Sequence, residues 1–157
     1  MPTLALATGR GWAAECAATS QGEQFWGVRM PVSLFAVVVD CRDPLRQAEF
    51  WAQALAHQVT RRNPDEFQVS DPAGGGASLY LMKVPEPKAG KNRLHLDLLT
   101  EGSMEAEVAR LARAGAEVVE VRQDPGSMDN PDTWTVMRDP EGNEFCVTST
   151  ATLTGWA

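Results

Sequence analysis

Arg93-Leu94-His95-Leu96-Asp97-Leu98 opens a pattern that occurs twice in this chain, and the fold is decided by that repeat. The first copy begins at Leu34-Phe35-Ala36-Val37-Val38-Val39, 59 positions earlier. Superposing the two sets Asp43-Pro44 beside Gly102-Ser103. It also sets Ala54-Leu55-Ala56-His57-Gln58-Val59 beside Arg113-Ala114-Gly115-Ala116-Glu117-Val118. A repeat of this length establishes architecture before chemistry and makes equivalent positions comparable. His95 then stands opposite Ala36. One half alone keeps a metal-binding side chain at that position.

Working outward, residues 34–39 form an apolar, β-branched run that reads as a strand buried on both faces. Asp43-Pro44 follows as a helix start, Asp at the N-cap and Pro in the first turn, where its missing N–H costs nothing. Leu45, Ala48, Ala52 and Leu55 recur at helical spacing. Short strands are expected at 59–62, 66–70 and 77–84, with a Gly-rich turn at 71–76. The second half repeats the order: a strand at 93–99, a helix from Ser103, and strands at 116–122, 133–138 and 144–149. The turn Asp139-Pro140-Glu141-Gly142-Asn143 separates the last two. The expected domain spans 31–150, with module one at 33–84, a Pro- and Gly-containing linker at 85–92, and module two at 93–149. Residues 1–30 and 151–157 lie outside the repeat as an arm and a tail. The loop at 123–131 is longer and more polar than its counterpart, as functional loops often are.

The chain has 157 residues, 43% of them hydrophobic, and a formal net charge of −7. That is enough for one full core. The negative charge, without any basic cluster, argues against nucleic acid as a partner. No apolar run is long enough to span a membrane. Cys16, Cys41 and Cys146 are odd in number and far apart, which argues for a reducing, cytoplasmic setting rather than a disulfide framework. The first residues lack the basic start and apolar core of a signal peptide.

Four pieces in order carry a family resemblance. They are Val39-Asp40-Cys41-Arg42-Asp43-Pro44 leading into Ala48-Glu49-Phe50-Trp51, then Val84-Pro85-Glu86-Pro87-Lys88. Lys91-Asn92-Arg93-Leu94-His95-Leu96-Asp97 and Asp139-Pro140-Glu141-Gly142-Asn143-Glu144-Phe145 complete the set. Over residues 34–148 the chain resembles the vicinal-oxygen-chelate superfamily of glyoxalases, extradiol dioxygenases and bleomycin-resistance proteins, in its glyoxalase-like subgroup. The resemblance implies an α+β fold of two tandem βαβββ modules, whose curved mixed sheets face each other across a cleft. It also implies that metal-dependent relatives hold a divalent ion with His, Gln or Glu from the first and fourth strands of both halves.

Carried over residue by residue, those positions are Ala36 and His95 on the first strands and Cys146 on the last, where the family places Glu. The first half offers Tyr80 or Met82. Three or four convergent ligands are needed, and His95 with Cys146 falls short. The expectation is a protein with no metal and no cofactor. The expected ligand-binding positions are Ala36, Val38, Tyr80, Met82, His95, Trp134 and Cys146, a largely apolar set of the kind that lines pockets. His95 and Asp97 are the candidate catalytic pair, His95 as general base or donor and Asp97 as its orienting partner. The competing reading is a histidine satisfied by Asp97 within the structure, and the residues alone do not choose.

The leading expectation is therefore a glyoxalase-like protein that binds an apolar or aromatic metabolite or antibiotic without metal. A metal-independent lyase or isomerase using His95 stands second, and a metal-dependent glyoxalase or dioxygenase third. Trp12, Phe25, Trp26 and Trp156 fall outside the repeat, where they can bury against a second copy, so a homodimer is expected.

Overall fold

Both helices begin where the sequence supplies a cap. Asp43 accepts the Arg46 backbone N–H at 3.1 Å, Pro44 occupies the first helical position, and α1 runs Pro44–Leu55. The Ser103 hydroxyl accepts the Ala106 N–H at 3.2 Å to start α2, Met104–Arg113. Glu105 and Glu107 lie in the first turn of α2 and Arg110 and Arg113 in its last, complementing the helix dipole. The computed structural model describes residues 32–124 and 133–151. The arm, the tail and most of the 123–131 loop lie outside the described residues, as do Trp12, Phe25, Trp26 and Trp156.

The strands are β1 Ala36–Cys41, β2 Gln58–Asn63, β3 Glu66–Ser70 and β4 Ser78–Lys83, then β5 Leu96–Thr100, β6 Glu117–Gln123, β7 Thr133–Arg138 and β8 Glu144–Ser149. They form two four-stranded sheets, ordered β1-β4-β3-β2 and β5-β8-β7-β6. β1 with β4 and β5 with β8 run parallel, and the remaining pairs are antiparallel. The fold is α+β, two tandem βαβββ modules with mixed sheets. Among the described residues, no helix is long and apolar enough to cross a membrane.

Two expectations need correction. The first strand is not buried on both faces: Val37, Val39 and Cys41 turn to the core, while Val38 is 55% exposed and Asp40 is exposed. A single helix covers one face of the sheet and nothing in the module covers the other, so the apolar run overstates its burial. The fifth strand begins at Leu96 rather than Arg93, which leaves His95 one residue ahead of the ladder.

One core serves both modules. Phe50 and Trp51 of α1 meet Phe145 of β8 at ring distances of 6.0 and 5.3 Å, the Trp51 contact edge-on. Around them Val69, Leu81, Leu111, Met137 and Val147 are fully buried. Polar ties reinforce the join. The Arg110 guanidinium, aligned by Glu107, donates to the carbonyls of Gln53 at 2.8 Å and Ala54 at 3.0 Å, near the end of α1. At the other end of α1, the Glu141 carboxylate accepts the backbone N–H groups of Arg42 and Asp43 at 2.7–2.9 Å.

The repeat extends to how the helices stop. Ala56 adopts the left-handed conformation (φ 54°), and its counterpart 59 positions on is Gly115 (φ 115°). The following N–H groups close equivalent bonds, His57 to Ala52 and Ala116 to Leu111. Only the second half has the residue for which this conformation carries no Cβ penalty. Ala56→Gly is expected to raise stability by about 0.5–1 kcal/mol, the relief of strain exceeding the added chain entropy. A denaturant midpoint that stays put or falls would show that the strain at Ala56 is absent.

Candidate functional site

Strand alternation sends every second residue of the second sheet away from the core. The register then sets these side chains in rows. Asp97 of β5 lies beside Cys146 of β8, which lies beside Val136 of β7. The next row is Leu99, Thr148, Trp134 and Arg122. Asp97 and Cys146 therefore stand directly across from one another. His95 precedes Asp97 by two residues, and its Nε2 lies 3.2 Å from Asp97 Oδ1. The His95 and Asp97 side chains are 46% and 69% exposed, whereas Cys146 is buried. An exposed pair of this kind is not a core histidine satisfying a buried carboxylate.

These rows floor an open cavity of about 1180 Å³. The linker residues Lys88, Lys91 and Asn92 form one wall, and Glu141 and Gly142 of the turn border it. Glu144 fastens that wall. Its Oε2 takes the Lys88 ammonium at 3.1 Å and the Asn92 N–H at 3.1 Å. Burial works to raise the Glu144 carboxyl, but the bonds from Asn92 and Lys88 prevail and hold it below the usual glutamate range.

His95, Asp97, Trp134 and Cys146 all border this cavity. Ala36, Val38, Tyr80 and Met82 do not; they belong to the open face of the first sheet, where Val38 pairs with Tyr80 and Asp40 with Met82. Because Val38 and Asp97 are equivalent, Tyr80 is the counterpart of Cys146, and Met82 that of Thr148. Leu99, Arg122, Val136 and Thr148 also border the cavity and were not singled out from the sequence. Counting alternate residues outward from Asp97, Trp134 and Cys146 reaches Leu99, Val136 and Thr148, while the linker wall leaves no such local signal.

A family model described as a glyoxalase-like domain matches residues 36–148. The chain belongs to the glyoxalase-like family. It falls within the vicinal-oxygen-chelate superfamily, and solved structures agree on the fold. A glyoxalase/bleomycin resistance protein/dioxygenase family enzyme from Burkholderia phytofirmans PsJN superposes with a TM-score of 0.62 at 18% identity, covering 78% of this chain and 100% of that one. A glyoxalase-related enzyme from Fulvimarina pelagi gives 0.58 at 15% identity, with coverage of 76% and 88%. A glyoxalase/bleomycin resistance protein from Albidiferax ferrireducens T118 gives 0.54 at 19%, with coverage of 74% and 99%. No curated protein sequence matches significantly.

The hard divalent ion that the family resemblance implies does not fit this glyoxalase-like chain. Ala36 has no donor atom, the Cys146 sulfur replaces a carboxylate, and Glu144 is already committed to Lys88 and Asn92. Hard cations call for several convergent oxygen or nitrogen ligands.

Both described thiols are held neutral. Burial pushes Cys146 up to about 11, and the adjacent Asp97 charge and hydrogen bond add to it. Burial pushes Cys41 up to about 12, with help from Glu141, Asp139, Asp40 and Asp43. A thiol reacts as its thiolate. In the folded protein at neutral pH, iodoacetamide should therefore label Cys41 and Cys146 far more slowly than after denaturation. Peptide mass mapping reads this directly, and rapid labelling of Cys146 in the native state would contradict its burial.

Proposed function

We propose that this chain is a cytoplasmic small-molecule-binding member of its family. On this reading it takes an apolar or aromatic metabolite or antibiotic on the open face of the second sheet. The observation that carries the proposal is the composition of that cavity. Trp134, Val136 and Leu99 offer apolar and aromatic surface, and the exposed His95–Asp97 pair offers polar points beside it. The organic ligand is bound directly by side chains, with no ion between; the misfit of a hard cation supports this. The 3.2 Å approach of His95 Nε2 to Asp97 favours a second reading, a metal-independent lyase or isomerase in which Asp97 orients His95 for proton transfer. Incubating the protein with a library of aromatic metabolites, and reading both thermal stabilisation and turnover, distinguishes the two.

His95→Ala is expected to weaken ligand binding and leave the melting temperature unchanged, since the side chain is exposed and Ala36 fills the equivalent place in the first module. One lost hydrogen bond costs about 0.5–1.5 kcal/mol, and about 1.5–3 when either group is charged. That is roughly a three-fold to hundred-fold loss of affinity. A clear drop in melting temperature with normal binding by the folded fraction would remove His95 from the site.

The proposed partner is a second copy of this chain. The first sheet leaves Val38 and Met82 exposed, and the second leaves Leu99 exposed. One protomer's Ala36, Val38, Tyr80 and Met82 would close the other's cavity with an apolar wall, uniting all seven expected ligand positions. Light scattering should give a dimer, and Val38→Asp should give a monomer that has also lost ligand affinity. A monomeric wild-type protein at high micromolar concentration would count against this arrangement.

A further inference from the structure

The basic side chains around the cavity are matched by acids, with one exception. Among the described residues, Lys88, Lys91, Arg122 and Arg138 border it. Glu144 takes Lys88, Glu120 takes Arg122, and Arg138 lies 3.5 Å from Glu117 and 3.9 Å from Glu144. Among the described residues, the Lys91 ammonium makes neither an ion pair nor a hydrogen bond. Its place is nevertheless defined, because the N–H of the next residue, Asn92, is bound to Glu144. Burial raises the Cys146 thiol, and the Lys91 charge works against that rise, so the ammonium is felt at the cavity floor. The floor is graded along the strands. Glu144, Arg138 and Glu117 make a charged row beside the linker. Leu99, Thr148 and Trp134 make a largely apolar row further along β8, about 13 Å away at the usual strand rise.

We propose that the ligand of this cavity is an aromatic carboxylate, its acid group held by the Lys91 ammonium and its ring laid on Trp134 and Leu99. This rests on the reading that the cavity takes an organic ligand, and it adds the ligand's charge and orientation. The chain carries a formal net charge of −7, so its overall field repels anions. A carboxylate is then best held by a local cation that has no acid of its own. Lys91 meets that condition. The other three cations would have to give up an existing partner, and the released glutamate would face the incoming acid. At the far end of the floor, the ring gains apolar contact with the Trp134 indole and the Leu99 side chain. Lys91 is thus a specificity-determining residue, and the ligand lies along β8 with its acid toward the linker.

The test titrates 4-phenylbutyrate and its neutral amide into the full-length protein by calorimetry. The two probes share a ring and a spacer and differ in the charge of the head group. The wild type should prefer the acid by about tenfold, the difference between a charged and a neutral hydrogen bond. Lys91→Gln should abolish that preference by weakening the acid alone, with amide affinity and melting temperature unchanged, and Lys91→Arg should retain it. Trp134→Leu should weaken acid and amide by the same factor. Added salt should shrink the acid's advantage in the wild type and leave the amide where it was. Equal affinity for the two probes in the wild type, or an acid preference that survives Lys91→Gln, would overturn the proposal. If neutral aromatics of the metabolite library bind and the acid does not, the proposal falls alone and the broader reading stands. If neither the probes nor any library compound binds, the broader reading falls and this one falls with it.

Discussion

One buried carboxylate, Asp139, links the two modules at their join. Asp139 is buried, and its two oxygens accept four donors. The backbone N–H groups of Glu141 and Asn143 bind at 2.9 Å each, the Asn143 side-chain amide at 2.9 Å, and the Trp51 indole at 3.4 Å. The first three shape the β7–β8 turn, and the fourth reaches into the helix of the other module. A turn shaped in this way presents Glu141 to the start of α1, where two backbone N–H groups would otherwise lack a partner. A buried carboxyl group is tolerable only when its oxygens are hydrogen-bonded, so the loss of one of these donors is costly. The aromatic contacts of Trp51 and Phe145 fill the same join with apolar surface.

Much of this was legible in the residues. Asp43-Pro44 and Ser103 announced the helix starts, Asp139 to Asn143 announced a turn, and the 59-residue offset placed Ala56 against Gly115, both at positive φ. These are local signals, set by side chains that bond their own neighbours or by a conformation a short segment must adopt. The strand run at 34–39 misled because composition reports how apolar a segment is, and not how many of its faces a single helix can cover. Val38 is the residue that exposes the difference.

The site divided along the same line. Family position marked His95 and Cys146 as inward candidates, and Asp97, two residues beyond His95, shares its face by strand alternation. What alternation could not supply was the register between β5 and β8, strands separated by more than forty residues, because parallel pairing is settled by packing across the whole module. Pairing also resolved Tyr80 against Met82 as the counterpart of Cys146. The wall made by Lys88 and Asn92 was invisible for another reason: its anchor, Glu144, lies more than fifty residues away and looks in sequence like any charged residue at a strand start.

That anchored linker joins the modules and also sets the aperture of the cavity. Its length is held by one buttoned point, the Glu144 carboxylate, with the turn at Gly90 free of side-chain crowding. Loop length is thermodynamically cheap to change compared with core volume. A descendant of this chain could widen or narrow its opening by adding or deleting residues around Gly90, while the core and the rows of the sheet floor stay as they are. The connector is thus the part of the molecule through which the size of the cavity can change while the core stays as it is.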